Sequence, residues 1–305
     1  VVLEYQSAER AGILGVTVGC QPPFPGDALE RAVDLAGRAD VAVVVASLTP
    51  EWEAEGADRR SLTLPGGQDE LIRRVAEVNP RTVVAINAGS PVAMPWLDAV
   101  PAVLQVWFPG QEGGEALADV LTGAAEPGGR LPTTFARRLQ DHPSHLSYPG
   151  EAGHVSYGEG LFVGYRAFDR TGVEPLFPFG HGLGYTDFRW AKAALERAEV
   201  RLGEPVRVAA DITNAGSRPG SEVVQVYVRD LASSLLRPDK ELKGFARVFL
   251  QPGETRRVEL DLPPRSFEAW DPRAHAWAAE PGDFEVILAR SATHPEFTLP
   301  LRLIS

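Results

Sequence analysis

The sequence predicts a mostly parallel α/β sandwich domain followed by an all-β domain of the immunoglobulin-like or fibronectin type III-like class. Apolar strand segments alternate with amphipathic helical segments from Asp40 to about Gly129, a pattern typical of βαβ units with right-handed crossovers. From about Arg189 onward, short segments of alternating polar and apolar residues are bounded by Pro-Gly or Gly-Asp turns. Such spacing, without a cysteine pair, predicts an immunoglobulin-like or fibronectin type III-like sandwich.

The α/β part contains three strand segments and two amphipathic helices. The predicted strands are DVAVVVA, RTVVAINAGS and PAVLQVWFPG. The first is apolar without alternation, as expected for a parallel strand covered on both faces. The predicted helices are GGQDELIRRVAEVNP, which ends at Pro80, and EGGEALADVLTG. The apolar faces that we expect these two helices to bury consist of Leu71, Ile72, Val75 and Val78, and of Leu117, Val120 and Leu121.

These patterns divide the chain into four segments. Residues 1–25 contain two strand-like pieces without a helix between them, which we interpret as the tail of a separate β module. Residues 26–147 are the predicted α/β domain and residues 189–305 the predicted sandwich. Between them, residues 148–188 are rich in glycine and aromatic residues without sustained periodicity, and we expect an extended connection packed over the domain surface.

Composition excludes several classes of protein. The 305 residues carry a formal net charge of -11, which disfavours nucleic acid or an anionic membrane surface as the main partner. No apolar run has the length of a membrane span. The lone Cys20 excludes an internal disulfide framework and a thiolate metal cluster. The chain begins without Met in a strand-like segment, as we expect for part of a larger polypeptide.

The most charged loop of the chain, SLTPEWEAEGADRRSLTLPGG, directly follows the first apolar strand. Its glutamates alternate as in a metal site, but no calcium-loop spacing follows and two arginines would repel a cation. A solvated turn is the usual interpretation of a charge cluster. Against it, Trp52 lies among the glutamates, and a carboxyl group beside an apolar ring can have a raised pKa and act as a general acid. The residues alone leave these two interpretations open.

Topology nevertheless places this loop where a site is expected. Ligands of open parallel sheets bind beyond the carboxyl ends of the strands. Three loops leave those ends: residues 49–65, NAGSPV at residues 87–92 and PGQEGG at residues 109–114. The last lacks the Walker and dinucleotide patterns. Ser47, Ser61 and Ser90 lie near strand ends outside a nucleophile-elbow context, so a serine hydrolase is disfavoured. We expect no metal and no cofactor.

Several long segments, in this order, resemble the C-terminal half of a glycoside hydrolase family 3 β-glucosidase. They cover roughly residues 40–188, and the predicted sandwich after them is similar to the fibronectin type III-like domain of that family. The segments that carry the resemblance are WEAEGADRRSLTLPGGQDELI, NAGSPVAMPWL, QVWFPGQEGGEALADVLTGAAEPGGRLPTTF, YGEGLFVGYRAFD and PLFPFGHGLGYTDF.

The resemblance implies a retaining mechanism. The family takes an Asp nucleophile from an N-terminal barrel and a Glu acid/base from the loop that matches WEAEGADR. The implied acid/base is Glu55, with Glu53 as the nearest alternative and Glu51 after it. We expect Asp58 and Arg59 to form a salt bridge that stiffens the loop. Trp52 either stacks on a sugar or anchors the loop.

The resemblance also implies which partners to expect. These are a glycoside substrate, and a barrel and a β-rich carbohydrate-binding insert of the protective-antigen type in the same polypeptide. Residues 1–25 are similar to the last strands of such an insert. We expect this chain to be inactive without the barrel. A non-catalytic carbohydrate-binding or structural module, or activity on β-xylosides or α-arabinosides, are the alternatives. The sequence allows a homo-oligomer and leaves the compartment undetermined, with secretion favoured over the cytoplasm.

Overall fold

A computed structural model describes residues 25–56 and 58–305, so the predicted tail of a β module at residues 1–25 lies, except for Pro25, outside the described residues. The α/β part contains four helices and three strands among these residues. In chain order they are α1 (Ala28–Arg38), β1 (Ala42–Ser47), α2 (Gln68–Val78), β2 (Thr82–Asn87), β3 (Ala102–Gln105), α3 (Gly113–Thr122) and α4 (Tyr165–Thr171). Short 3-10 turns occur at Leu97–Ala99, Leu139–Asp141 and Pro143–Leu146.

The three strands of this part form a parallel sheet in the order β1-β2-β3. β1 pairs with β2 from Ala42↔Thr82 to Ser47↔Asn87, and β2 pairs with β3 in the same direction. All three strands therefore end at the same edge, which confirms the predicted parallel arrangement. None of the helices in the described ranges combines the length and apolar composition that a bilayer crossing demands.

The expectation that β1 is covered on both faces is wrong for the described part of the chain. Its side chains alternate between buried and exposed, and Val43 and Val45 are 47% and 56% exposed. β1 is an outer strand of the described sheet, and only one of its faces packs into the core that contains Val44 and Ile72. An unbroken apolar run does not distinguish a strand of this kind from a central one.

The two predicted helices form where expected, but they bury less than their sequences suggest. In α2, Ile72 and Val75 are buried, whereas Val78 is 43% exposed. In α3 the predicted apolar side chains are only partly buried, these being Leu117, Val120 and Leu121.

The segment predicted as an extended connection contains a helix, α4. Seven residues lie between Gly164 and Gly172, too few to show helical periodicity. Ala167 and Phe168 are the buried residues of this helix. The preceding Gly/Pro-rich stretch pairs with the later part of the connection through an isolated bridge between Phe135 and Phe177.

The all-β part is a sandwich of two main sheets, ordered β5-β13-β12-β7-β8 and β4-β6-β9, with a small hairpin β10-β11. Its core is apolar and includes Trp190, Leu250 and Phe284. The strands are β4 (Phe188–Leu195), β5 (Glu199–Arg201), β6 (Val206–Asn214), β7 (Gly220–Asp230), β8 (Glu241–Leu250), β9 (Thr255–Leu262), β10 (Ala269–Asp271), β11 (Ala276–Ala278), β12 (Gly282–Ser291) and β13 (His294–Ile304), with a 3-10 turn at Pro264–Phe267.

A buried charged group joins the end of the α/β segment to the sandwich; we call it the Glu222 centre, and it consists of Arg130, Glu222 and Arg290. The Glu222 side chain is 1% exposed and lies 2.6 Å from Arg130 Nη2 and 2.7 Å from Arg290 Nη1. The backbone N–H of Val223 also donates to it at 2.8 Å. Two cations and a backbone donor therefore satisfy one buried carboxylate, as a buried charge requires.

Candidate active site

The acidic loop connects the end of β1 to the start of α2, so it leaves the carboxyl edge of the parallel sheet. The side chain of Gln68 closes its base. Gln68 Oε1 accepts the backbone N–H of Ser47 at 2.7 Å, and Gln68 Nε2 donates to the carbonyls of Ser47 and Pro65 at 3.0 Å each. Gln68 is the first residue of α2, so the helix holds the two ends of the loop together.

Glu53 is bound to the neighbouring loop that follows β2. Its carboxylate accepts the backbone N–H of Gly89 at 2.8 Å and the hydroxyl of Ser90. Gly89 allows this approach because a Cβ at that position would lie 2.8 Å from Phe108 Cε2 and 3.4 Å from Glu53 Cδ. Glu53 is only partly exposed. This carboxylate therefore has a structural contact on both of its oxygens.

Arg59 binds the same loop from the other side of Glu55. Its Nη1 donates to Ser90 Oγ at 2.8 Å and to the carbonyl of Pro91 at 3.1 Å. Burial lowers the pKa of Arg59 below its ordinary value, and the charge of Glu53 opposes this change. The guanidinium remains charged at physiological pH, so it compensates the negative charge of Glu53.

The predicted salt bridge between Asp58 and Arg59 is wrong. Among the described residues, these two side chains form no ion pair. Asp58 instead accepts the hydroxyl of Tyr148, a contact that raises the pKa of Tyr148. Arg59 instead contacts the loop after β2, and Asp58 contacts Tyr148 of the connection.

Glu55 differs from its neighbours. Its side chain is exposed and makes no hydrogen bond or ion pair within the described residues. Gly56, which follows it, has φ +81°, a backbone conformation that L side chains rarely adopt, and a Cβ at this position would meet nothing within 4 Å. Trp52, in the same loop, is 56% exposed. The loop thus presents a free carboxylate and an aromatic ring at the carboxyl edge of the sheet.

The third glutamate, Glu51, is exposed. A hydrogen bond with the Thr49 side chain lowers its pKa from the ordinary value of 4.5. Within residues 25–56 and 58–305, no group of three or more His, Cys, Asp or Glu side chains is placed to hold a metal ion. Of the three glutamates, Glu53 is bound to the loop after β2 and Glu51 has a lowered pKa. Glu55 is the glutamate that makes no such contact among the described residues and can take part in proton transfer.

A cavity of about 490 Å³ lies beside α2 rather than at Glu55, and its lining includes Asp69, Trp96 and Asp98. Trp96 Nε1 donates to Asp69 at 2.8 Å, and burial raises the pKa of Asp69. Sequence reasoning missed this pair, as it missed the contacts of Ser90 and Tyr148. Only the position of NAGSPV at a strand end indicated that its residues lie near the acidic loop.

Comparison with known proteins gives two matches within the chain. Residues 7–185, more than half of the chain, match the family described as "Glycosyl hydrolase family 3 C-terminal domain". Residues 222–292 match the "Fibronectin type III-like domain". The second match falls within the β-sandwich and agrees with the predicted fold class.

Individual relatives agree with these matches. The chain is 44% identical over 301 residues to a protein named "Beta-glucosidase" of Rhizobium radiobacter, covering 96% of this chain and 37% of the relative. It is 46% identical over 264 residues to "Thermostable beta-glucosidase B" of Acetivibrio thermocellus, covering 87% and 35%. The chain thus spans about a third of the length of these curated relatives.

Solved structures agree as well. The β-glucosidase of Kluyveromyces marxianus, solved in complex with glucose, superposes with a TM-score of 0.89 at 36% identity, covering 94% of this chain and 34% of that one. β-Glucosidase 3B of Thermotoga neapolitana, in complex with α-D-glucose, superposes with a TM-score of 0.84 at 35% identity, covering 93% and 40%. With its parallel α/β domain, its β-sandwich and these matches, the chain belongs to glycosyl hydrolase family 3.

Proposed function

We propose that this chain is the C-terminal part of a retaining β-glucosidase that hydrolyses terminal non-reducing β-D-glucosyl residues, and that Glu55 is its general acid/base. The names of the relatives support the activity: they are β-glucosidases, and two of the similar structures contain glucose. The contacts within the acidic loop support the choice of Glu55.

The observation that carries the assignment is the difference among the three glutamates of the loop. Glu53 already accepts two hydrogen bonds. The pKa of Glu51 is lowered, which is the wrong direction for a group that must donate a proton. Glu55 is exposed at the carboxyl edge of the sheet, with no competing partner among the described residues. It is the carboxylate of this loop that is free to reach a substrate.

In the proposed reaction, Glu55 protonates the glycosidic oxygen while an Asp of a barrel domain attacks the anomeric carbon. The C–O bond to the leaving group breaks and a covalent glycosyl-enzyme forms. Glu55, now ionised, takes a proton from water, which displaces the Asp and releases glucose with retained configuration. Retaining glycosidases hold the two carboxyl groups about 5–5.5 Å apart. This chain supplies one of the two, so we propose that it works only together with the barrel.

Trp52 has a secondary part in the proposal. Trp52 is 56% exposed, lies three positions before Glu55 in the sequence, and is outside the buried core of the α/β part. An aromatic face can stack on the apolar face of a sugar ring. We therefore propose that Trp52 contacts the substrate, while Asp58 and Arg59 hold the loop.

The test replaces Glu55 by Ala in the longest natural polypeptide that contains these residues. We expect kcat/KM for a β-glucoside with a poor leaving group to fall about 10²- to 10⁴-fold, the usual contribution of general acid–base catalysis. An activated aryl β-glucoside should react far better in the presence of azide, giving the β-glucosyl azide.

The matched control is Glu51→Ala, a glutamate in the same loop, which should keep normal activity on both substrates. Unchanged activity of Glu55→Ala on both would refute the assignment. The same assay with aryl β-xylosides and α-arabinosides tests the sugar: a higher kcat/KM on either would replace β-glucoside as the proposed substrate.

A further inference from the structure

A single hydroxyl group connects the two sides of the acidic loop. The Ser90 hydroxyl donates its proton to Glu53 Oε1, and Ser90 Oγ accepts from Arg59 Nη1 at 2.8 Å. These partners lie 37 and 31 positions before Ser90. Glu53 and Arg59 flank Glu55, so one side chain outside the loop holds it on both sides of the proposed acid/base.

We propose that Ser90 is a positioning residue for Glu55, and this rests on the function proposed above. A serine hydroxyl has one proton to donate and lone pairs to accept, and here it uses both capacities on groups of opposite charge. Hydrogen bonds to charged groups are the stronger class. Ser90 therefore fixes the spacing between Glu53 and Arg59, which lie on either side of Glu55 in the sequence.

The remaining contacts of the loop would survive the loss of this hydroxyl. The Gly89 N–H still donates to Glu53 at 2.8 Å, and Arg59 still donates to the Pro91 carbonyl at 3.1 Å. The base of the loop stays closed by Gln68. Substitution of Ser90 should thus loosen the segment that carries Glu55 without unfolding the domain.

Looser placement of an acid/base affects the chemical step directly. Displacing a catalytic group by about 1 Å can reduce the rate about 100-fold. The effect should be largest when the leaving group needs protonation, because a good leaving group departs without help from the acid. Leaving-group dependence therefore distinguishes positioning from a general loss of stability, which would reduce activity on all substrates alike.

The experiment compares Ser90→Ala, Ser90→Thr and Ser61→Ala in the longest natural polypeptide that contains these residues. Ser61 lies in the same loop, is exposed, and bonds only to Thr63 within the described residues. For Ser90→Ala we expect kcat/KM to fall about 10- to 100-fold on an alkyl β-glucoside and much less on a dinitrophenyl β-glucoside. Ser90→Thr retains a hydroxyl and should recover most of the loss; Ser61→Ala should show none.

Hydrogen exchange of the 305-residue chain provides a readout that does not depend on activity. In Ser90→Ala, amides of the acidic loop and of Gly89 should exchange faster, while those of α2 and the sandwich should not change. Wild-type exchange in the loop, or an equal loss of activity on both glucosides, would overturn the proposal. Retained activity in Glu55→Ala would instead refute Glu55 as the acid/base. Failure of the proposed function is thus distinguished from failure of the proposal for Ser90.

Discussion

The acidic loop and the Glu222 centre both combine carboxylates with arginines, and they use these groups differently. At the Glu222 centre the carboxylate is 1% exposed and lies between two guanidinium groups. In the loop, Glu53 is bound by Ser90 and Gly89, while Glu55 is exposed and has no such partner among the described residues.

The comparison separates carboxylates that hold the structure from a carboxylate that is available for chemistry. A buried charge is tolerated only when its partners are fixed, and at the Glu222 centre those partners occupy the carboxylate on both sides. The loop places both kinds two residues apart. We therefore expect substitutions at the Glu222 centre to change stability and substitutions at Glu55 to change activity alone.

The largest expected effect on stability is that of Glu222→Ala. It leaves Arg130 and Arg290 without their buried partner, and breaking a buried pair in this way costs about 3–5 kcal/mol. Urea unfolding of the chain, followed by tryptophan fluorescence, measures the change in the free energy of unfolding.

The control for that measurement is Glu259→Ala, whose carboxylate lies 3.8 Å from Arg257 and is 53% exposed. Exposed pairs contribute about 0–1 kcal/mol, so little change is expected. Equal effects of the two substitutions would show that burial does not distinguish the Glu222 centre from a surface ion pair.

A smaller effect is expected within the loop. Glu53→Ala removes two hydrogen bonds to a carboxylate that is only partly buried, at a cost of about 1–2 kcal/mol. Glu55→Ala should change the free energy of unfolding by no more than about 0.5 kcal/mol. Scanning calorimetry of both variants measures the change in stability. If Glu55→Ala destabilised the protein as much as Glu53→Ala, Glu55 would also be a structural carboxylate, contrary to our expectation.

The smallest expected effect concerns pH near the Glu222 centre. Burial, and then the charge of Arg130, lower the pKa of His181 from its ordinary value of 6.5. Below about pH 6.5 the unfolded chain therefore binds a proton that the folded chain does not, so stability falls as the pH drops through this value toward the lowered pKa. Above it, His181 contributes no pH dependence.

His181→Gln should reduce that acid-side slope, measured as the free energy of unfolding between about pH 7 and about pH 5. The variant also loses the stacking of His181 on Phe177, whose ring centroids are 5.2 Å apart, so the slope and not the absolute stability is diagnostic. An unchanged slope would show that His181 is not sheltered from protonation.

The sequence predicts the order of strands and helices well, because most elements have a clear periodicity. It does not predict features that depend on packing between distant parts of the chain. The apolar run of β1 does not reveal that Val43 and Val45 are exposed, since valine is common both in central strands and in outer strands of a sheet. α4 spans seven residues between two glycines, too few for a periodic pattern.

For the candidate site, too, some features could be predicted from the sequence and others could not. The charge of the loop and its location at the carboxyl edge follow from sequence and topology. Its contacts do not, because Ser90 lies 37 positions from Glu53, and Tyr148 lies 90 positions from Asp58. The adjacent charges of Asp58 and Arg59 suggested a local salt bridge, but both side chains have partners that only the fold brings near. The role of Glu55 is supported by the resemblance and by the contacts of its neighbours Glu53 and Glu51, and it stays a prediction.

The Glu222 centre also sets an order of events while the chain is synthesised. Glu222 lies 92 positions after Arg130, and Arg290 lies 68 positions after Glu222. At roughly 5–20 residues per second, Arg130 is made about 5–18 seconds before Glu222 and about 8–32 seconds before Arg290. The stretch around Arg130 thus acquires its charge partners only when the sandwich strands exist. The rate of translation therefore sets the earliest time at which this contact between the two parts of the chain can form.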